Sequence, residues 1–316
     1  MPAAADPLAT FADHAAARPG AVLVIGGPTA SGKSGLALAL ARRAGGVVIN
    51  ADSMQVYRDL SVLTARPGAE ALATVPHRLY GVLGAGEVCS VARWLGLALA
   101  EIATAHRTGA LPVLVGGTGL YLGALTGGLS ALPEIPPAIR ALARQRLERD
   151  GAAALHADLG RRDPATAARL PPGDRQRIVR AWEVLEATGR PLSSWQNENR
   201  GAPPPGLSLS TIVLDPPRPD LYRSCDLRFD AMMAAGALAE VQALNALGLE
   251  PDRPALKALG VPELRRHLAG DLSLDAAAAL ARQSTRRYAK RQVTWFRHQV
   301  IGRTEPVLVI DRLWRG

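Results

Sequence analysis

Short apolar runs alternate with longer segments of helical periodicity along the chain. The apolar runs lie at residues 22–25, 47–49, 111–115, 210–215 and 307–310, and each has the length of a buried strand. The helical patterns lie at residues 35–43, 90–107, 139–188, 218–247 and 274–297. Parallel strands are joined by long crossovers that are usually helical. The pattern therefore predicts an α/β fold, in which a parallel sheet is flanked by helices.

Proline-rich breaks divide the chain into three parts. Prolines cluster at residues 133–137 and 203–205, and the segment between them is rich in Ala, Leu and Arg. We predict an all-helical insertion domain at residues 131–200, and a core built from residues 21–130 and 201–316. Residues 1–20 are Ala-rich and lack the basic start and apolar centre of a signal peptide. We expect them to be a weakly ordered tail.

The first apolar run ends in a complete Walker A sequence, G-x-x-x-x-G-K-[ST]. Its glycines let successive backbone N–H groups point at a polyphosphate, Lys33 adds a positive charge, and the Ser34 hydroxyl is a natural ligand of Mg²⁺. The motif predicts a phosphate site in a P-loop NTPase-like core, formed by Gly27, Pro28, Thr29, Ala30, Ser31, Gly32, Lys33 and Ser34. It does not decide which polyphosphate binds, and ATP is the default ligand.

Polar residues follow two further strands of the predicted sheet. Asp52 comes just after the second apolar run, and Gly116-Gly117-Thr118 follows the third. In open parallel sheets, ligands bind at the carboxyl ends of the strands, beside the phosphate loop. Asp52 could accept a proton there, hold Mg²⁺ through water, or simply cap a turn. The paired glycines allow a close approach of the backbone to a ligand, and the Thr118 hydroxyl can bind it.

Two basic segments are candidates for contact with a nucleic acid. Arg177 and Arg180 lie three residues apart and share one helical face, beside Gln176. Residues 284–297 hold five cations and three aromatic rings, a mixture that can bind phosphates and unpaired bases. The alternative is a solvated basic helix, and core packing is the favoured interpretation for Trp295 and Phe296. The net charge of +9 and the pI near 10.3 suit an anionic polymer as partner.

The composition excludes some classes of protein. No apolar run approaches the roughly 20 residues of a membrane span, so we expect no membrane association. The two cysteines, Cys89 and Cys225, are too few for a disulfide framework. We expect a cytoplasmic protein.

Together these motifs resemble the tRNA dimethylallyltransferase family, also called tRNA isopentenyltransferases or IPP transferases. The resemblance is carried in order by residues 27–34, 52–57, 64–67, 76–78, 115–121, 174–184, 228–232 and 287–296. The chain departs from the family pattern at Ser224-Cys225, at Arg78-Leu79-Tyr80-Gly81, and at Gly260-Val261-Pro262.

The resemblance implies an enzyme that transfers a dimethylallyl group from dimethylallyl diphosphate. The acceptor is the exocyclic N6 amine of the adenosine 3′-adjacent to the anticodon of a tRNA, and Mg²⁺ is the expected cofactor, with Ser34 as its ligand. Asp52 matches the general base of the family, while Lys33 and Arg228 assist the leaving diphosphate and Thr118 places the base. The implied tRNA contacts are Asp52, Ser53, Met54, Gln55, Thr118, Arg140, Gln176, Arg177, Ile178, Val179, Arg180 and Lys257.

The resemblance also implies that the helical insertion clasps the anticodon stem-loop, and we expect a monomer. Three alternatives stay open at this point. The chain could be an ATP-dependent kinase of small molecules, an adenylate isopentenyltransferase that acts on free nucleotides, or an RNA-binding protein without catalytic activity.

Overall fold

The structure is a computed structural model that describes residues 7–129, 132, 134–198, 204–301 and 306–315. The elements of the first part of the chain are α1 (Pro7–Ala16), β1 (Ala21–Gly26), α2 (Lys33–Ala44), β2 (Val47–Asn50), α3 (Ala69–Thr74), β3 (His77–Arg78), α4 (Val91–Arg107), β4 (Pro112–Gly116) and α5 (Gly119–Gly127). The middle of the chain contains α6 (Pro137–Arg162), α7 (Pro164–Ala167), α8 (Arg175–Thr188) and α9 (Leu192–Glu198). The last part contains β5 (Ser208–Leu214), α10 (Arg218–Ala234), α11 (Ala237–Ala246), a 3-10 helix (Pro254–Lys257), α12 (Val261–Leu268), α13 (Leu274–Gln299) and β6 (Val307–Ile310).

The six strands form one sheet in the order β3-β2-β4-β1-β5-β6. Every neighbouring pair is parallel, so the predicted parallel α/β sheet is confirmed. β1 lies between β4 and β5, which puts the loop after β1 at the centre of the carboxyl edge. The edge strand β3 was not predicted, because a strand of two residues carries no periodicity.

Alternate residues of the central strand are buried on opposite faces of the sheet. Leu23 and Ile25 pack in a cluster with side chains of α1 and α2. Val22 and Val24 pack in another cluster with side chains of α4, α5 and α13. The strand is buried at all six positions, as a strand covered by helices on both faces must be. The core is therefore a three-layer arrangement of helices, sheet and helices.

The structure corrects two predictions about helices. The weakly ordered tail is wrong for Pro7–Ala16, which forms α1, because Leu8, Ala12 and Ala15 lie on one helical face and are buried. Residues 1–6 of that tail lie outside the described residues. The single helix expected at 218–247 is broken by Gly236, whose φ of 98° is left-handed and ends one helix before α11 begins.

The chain divides into two compact units, one of Met1–Thr126 with Pro204–Gly316 and one of Gly127–Pro203. The second unit contains α6 to α9 and has its own apolar cluster, which includes Leu159, Val184 and Leu185. Its Asp158 carboxylate accepts from Trp182 Nε1 at 3.0 Å and pairs with Arg146 at 3.3 Å. In neither unit does the described part of the chain contain a helix long and apolar enough to cross a bilayer.

Trp94 of α4 packs in the apolar cluster on one face of the sheet. Its side chain is fully buried, its ring stacks on Tyr121 with centroids 4.3 Å apart, and Nε1 donates to the Asn50 carbonyl at 2.9 Å. We expect Trp94→Ala to lower the free energy of unfolding by about 3–5 kcal/mol, because it leaves a large cavity. Leu72→Ala is the control, since Leu72 is 50% exposed. Equal denaturant midpoints for the two variants would contradict this.

Candidate active site

The phosphate loop connects β1 to α2 at the centre of the carboxyl edge. The helix begins at Lys33, and Gly32 before it has a left-handed φ of 91°. The C-terminal segment folds back on this loop, and the Trp314 N–H donates to the Ser31 carbonyl at 3.0 Å. A Cβ atom on Gly32 would lie 2.1 Å from the Trp314 carbonyl oxygen. Both the backbone angle and the close approach therefore require glycine at position 32.

Helix α10 holds the loop from the other side. Arg228 Nη2 donates to Thr29 Oγ1, and Ser224 Oγ donates to the Ala30 carbonyl at 2.8 Å. Ser224 is one of the departures from the family pattern, and here it contacts the phosphate loop itself. The predicted site residue Arg228 is thus beside the loop, although 199 residues of sequence separate it from Thr29.

Lys33 and Arg228 are both held as cations in a poorly solvated place. Burial and the positive charge of Arg228 together lower the pKa of Lys33 to about 8, although Asp52 acts in the opposite direction. Burial also lowers the pKa of Arg228, again against the pull of Asp52. Two cations with lowered pKa values face one cavity, so a bound anion would be stabilised there.

Asp52 is fixed at the end of β2 by the backbone around it. Its N–H donates to Asn50 Oδ1 at 2.8 Å, and its own Oδ1 accepts from the Met54 N–H at 2.9 Å. The side chain of Asn50 is fully buried and donates to the carbonyl of Asp52. The next residue, Ser53, donates its N–H to Thr118 Oγ1 at 3.0 Å. The structure therefore brings Asp52 and Thr118 together, as predicted from the strand ends.

The side chain of Gln292 on α13 joins the two loops of the site. Its Oε1 accepts from the Thr29 N–H and its Nε2 donates to the Gly117 carbonyl, both at 2.8 Å. Gln292 is only 5% exposed, so both ends of the amide are satisfied inside the protein. Sequence reasoning did not single this residue out. The only signal was its place within the family motif 287–296.

The two glycines at the end of β4 have different neighbours. A Cβ atom on Gly116 would lie 2.1 Å from the Ala51 carbonyl oxygen, whereas Gly117 faces α13. A Cβ atom on Gly117 would lie 2.1 Å from Gln292 Nε2 and 2.9 Å from the Gly27 carbonyl oxygen. Trp295 and Phe296 of the same helix belong to the cluster beneath the sheet, so their predicted core role is confirmed. Small residues at this strand end let a helix approach the edge of the sheet closely. Helix packing, as well as a ligand, therefore accounts for the glycine at position 117.

Two cavities adjoin Asp52. The larger has a volume of about 640 Å³ and contains the phosphate-loop residues Gly32, Lys33 and Ser34 in its wall. The smaller, of about 230 Å³, is lined by Ser53, Met54, Lys257 and Tyr288 among others. Four residues line both cavities, namely Thr29, Asp52, Thr64 and Arg228. The site is therefore bipartite, with the carboxylate of Asp52 at the boundary.

The remaining residues that were predicted to contact tRNA lie partly beside the active-site cavities and partly in the helical unit. Gln55 Nε2 donates to the carbonyls of Thr64 and Ala65, which ties the segment after Asp52 to the cavity wall. In the helical unit, Arg140, Gln176 and Arg177 are exposed. Val179 and Arg180 are partly buried there. Ile178 is corrected to a core residue, because its side chain lies on the buried face of α8 and is fully buried.

The donor set suits a metal that binds mainly through phosphate and water. Among the described residues, no group of three or more His, Cys, Asp or Glu side chains is placed to hold a metal ion. The Ser34 hydroxyl is exposed and shares the larger cavity with Asp52. Mg²⁺ usually keeps several waters and takes one or two protein ligands beside substrate phosphates. The residues present therefore fit Mg²⁺ with Ser34 as its protein ligand.

Comparison with known proteins gives the family. The model described as "IPP transferase" matches residues 55–299, and one described as "Isopentenyl transferase" matches residues 20–83. The chain belongs to the IPP transferase family. This IPP transferase chain is 61% identical over 279 residues to the tRNA dimethylallyltransferase of Rhodospirillum centenum, which covers 88% of this chain and 89% of the relative. It is 57% identical over 280 residues to that of Nitrobacter hamburgensis, covering 88% of each chain.

Solved structures agree with this assignment. The tRNA isopentenylpyrophosphate transferase of Bacillus halodurans is 35% identical with a TM-score of 0.65, covering 92% of this chain and 89% of that one. A eukaryotic dimethylallyltransferase, seen in crystallographic snapshots acting on tRNA, is 28% identical with a TM-score of 0.78. That alignment covers 92% of this IPP transferase chain and 73% of the other. The expected family and the expected class of enzyme, a prenyl transferase, are confirmed.

The amide of Gln292 gives a direct test of how the site is held. Gln292→Met keeps the volume but removes both hydrogen bonds, so the buried Thr29 N–H and Gly117 carbonyl lose their partners. We expect a lower melting temperature and an affinity for pyrophosphate reduced about tenfold, since each orphaned group costs about 1–3 kcal/mol. Gln283→Met is the matched control, because Gln283 is exposed on the same helix. Identical behaviour of the two variants would contradict the role given to Gln292.

The pKa of Lys33 predicts how pyrophosphate binding depends on pH. Because that pKa is lowered to about 8, the ammonium of the free protein is charged below about pH 8 and neutral above it. A bound anion favours the charged form, so binding should take up a proton above that pH and weaken by up to about tenfold per pH unit. Calorimetry in two buffers of different ionisation enthalpy measures this proton. In the Lys33→Met variant, only the titration of pyrophosphate itself remains. The same proton uptake in that variant would show that Lys33 is not the group that takes up the proton.

Proposed function

We propose that this chain transfers the dimethylallyl group of dimethylallyl diphosphate to the N6 amine of the adenosine 3′-adjacent to the anticodon of tRNAs. The observation that carries this proposal is the bipartite site, in which a cationic phosphate cavity and a second cavity meet at Asp52. A transferase needs such a boundary, because the donor and the acceptor must meet at one carbon atom. Membership of the IPP transferase family supports the two substrates.

The larger cavity suits the diphosphate. The N–H groups at the start of α2 and the positive end of its dipole face the same space as Lys33. Arg228 adds a second cation from α10. As the bond between the dimethylallyl carbon and the diphosphate oxygen breaks, its electron pair leaves with the diphosphate. The cations stabilise this charge where it develops.

Mg²⁺ would be held by Ser34 together with oxygens of the diphosphate and water. When bound, it would supply additional positive charge to the leaving group. The residues of the chain have separate tasks. Lys33 and Arg228 orient the diphosphate, and Thr29 keeps Arg228 directed into the cavity.

The smaller cavity suits the acceptor base. The exocyclic amine forms a bond to the dimethylallyl carbon and gives one proton to the carboxylate of Asp52, which acts as general base. Thr118 stands beside Ser53, where it can position the ring of the base. An adenosine inside an RNA stack cannot reach this point, so the nucleotide must leave its stack first.

The tRNA contacts follow the same logic. Ser53, Met54 and Lys257 line the smaller cavity with Asp52, and Gln55 lines the larger one. Arg140, Gln176, Arg177, Val179 and Arg180 are placed on the helical unit and are proposed to contact the anticodon stem-loop. We also propose that the chain acts in the cytoplasm as a monomer.

The test uses labelled dimethylallyl diphosphate, Mg²⁺ and bulk tRNA, followed by digestion to nucleosides. We expect the label in an adenosine derivative. Transfer to AMP in place of tRNA would favour an adenylate isopentenyltransferase, and cleavage of ATP without tRNA would favour a kinase.

The general base is tested by Asp52→Asn, which keeps the size and the hydrogen bond from Met54 but accepts no proton. We expect transfer to fall by about 10²–10⁴-fold, while tRNA binding stays within severalfold. The control is Asp220→Asn, since Asp220 is an exposed carboxylate that lines the larger cavity only. Unchanged turnover by the Asp52 variant would remove this residue from the mechanism.

A further inference from the structure

Glu240 of α11 holds a backbone segment that borders the active site. Its Oε1 accepts from the Ser61 N–H at 2.5 Å, from the Val62 N–H at 2.8 Å and from the Ser61 hydroxyl at 3.0 Å. Its Oε2 accepts from the Leu63 N–H at 2.9 Å, across 177 residues of sequence. One half-buried carboxylate therefore binds three successive backbone N–H groups.

The residues at the end of this segment form part of both cavities. Leu63 lines the smaller cavity, Ala65 lines the larger one, and Thr64 between them lines both. We call residues 61–65 the wall segment. Thr64 shares with Asp52 the boundary between the two cavities, which is where the proposed reaction transfers the dimethylallyl group.

Other contacts hold the end of the wall segment. Gln55 Nε2 donates to the Thr64 and Ala65 carbonyls, at 2.8 and 3.1 Å. Ala65 has a left-handed φ of 50°, a conformation that a residue other than glycine keeps only when its surroundings determine it. Gln55 thus fixes the carbonyl groups at the end of the wall segment, whereas Glu240 fixes the N–H groups at its start.

The start of the wall segment is suited to an anion. Successive backbone N–H groups that converge on one point concentrate positive partial charge, and an ionised carboxylate gains from all of them. A neutral amide at position 240 would offer a single acceptor, and its NH₂ group would face an N–H that also donates. The charge of Glu240, and not only its size, is therefore needed to hold the segment.

We propose that Glu240 is a positioning residue for the transfer reaction. This inference rests on the proposed function and deepens it, because Glu240 acts through Thr64 and not through contact with either substrate. The donor carbon and the acceptor amine must be held in a narrow geometry, and a displacement of about 1 Å can reduce the rate by about 10²-fold. By keeping the wall segment in place, Glu240 keeps the shape of both cavities at their boundary.

The phosphate loop is held by other side chains. Gln292 of α13 and the α10 residues Ser224 and Arg228 donate to it or accept from it. Loss of the Glu240 carboxylate should therefore slow the transfer step and leave the binding of pyrophosphate at the phosphate loop unchanged. A purely structural role would instead lower stability and leave the turnover of each folded molecule as it is.

The test is Glu240→Gln, which keeps the size of the side chain but removes its charge. Single-turnover transfer is measured with saturating labelled dimethylallyl diphosphate and bulk tRNA, at a temperature where circular dichroism shows that the variant is folded. We expect the rate to fall about 10–100-fold, whereas calorimetry should give an affinity for pyrophosphate within about twofold of the wild type. A wild-type rate with only a lower melting temperature would overturn the proposal, and so would an equal loss of pyrophosphate affinity.

A second variant and a second measurement keep the test independent of folding and of activity. Glu240→Asp keeps the charge but shortens the side chain by one methylene, so it should lower the same rate by less, and it serves if Glu240→Gln does not fold. Hydrogen exchange followed by mass spectrometry reports on the amides of residues 61–63, which should exchange faster in both variants. Unchanged exchange would overturn the proposal, because Glu240 would then not hold the wall segment.

The matched control is Glu250→Gln. Glu250 is exposed beyond the end of α11, and its loss changes the net charge by the same amount. This variant should keep the transfer rate and the exchange pattern of the wild type. Equal losses in the two Gln variants would overturn the proposal, because net charge alone would then explain them.

The wild-type transfer assay separates this inference from the proposed function. If the wild type transfers label to tRNA and Glu240→Gln does so at the same rate, this inference fails while the proposed function stands. If the wild type transfers no label, the proposed function itself fails, and the role of Glu240 in that reaction fails with it.

Discussion

The side-chain amide of Gln292 is the contact on which the active site depends. One amide satisfies a donor on the phosphate loop and an acceptor on the loop after β4, at 2.8 Å each. These loops carry the two halves of the site. The Thr29 hydroxyl accepts a hydrogen bond from Arg228, and the Thr118 hydroxyl accepts one from the Ser53 N–H. A buried amide with both ends satisfied is directional in a way that apolar packing is not. One residue of α13 thereby fixes the separation of the phosphate loop and the loop after β4.

This contact also explains why α13 must lie so close to the sheet. A side chain of ordinary size at Gly117 would occupy the place of the Gln292 amide, and one at Gly119 would approach Trp295 within 2.5 Å. Glycine at these positions and aromatic rings on the helix are complementary halves of one packing arrangement. The exposed face of the same helix carries Arg287, Lys290 and Arg291. A single element therefore supports the sheet and joins the two loops of the site.

Local signals made much of this architecture predictable. Strands β1, β2, β4 and β5 were predicted because buried parallel strands are continuously apolar. The edge strand β6 is only partly buried but has four apolar residues in a row, and the phosphate loop was predicted from its dense motif. The role of Gln292 could not be predicted, since its partners Thr29 and Gly117 are 263 and 175 residues away. The burial of Ile178 was missed for a similar reason. A sequence motif indicates which segment contacts the partner, but the packing of α8 decides which of its side chains face solvent.

The electrostatics of the free protein fit the chemistry of a poor nucleophile. An aromatic amine attacks only when the leaving group is well stabilised, so the charge that develops on the diphosphate has to meet fixed positive groups. Lys33 and Arg228 are held as desolvated cations whose pKa values are lowered, so part of their charge is unsatisfied before the substrate arrives. The interaction strengthens as the carbon–oxygen bond breaks and negative charge grows. Stabilisation that increases along the reaction raises the rate more than equal binding of the ground state would.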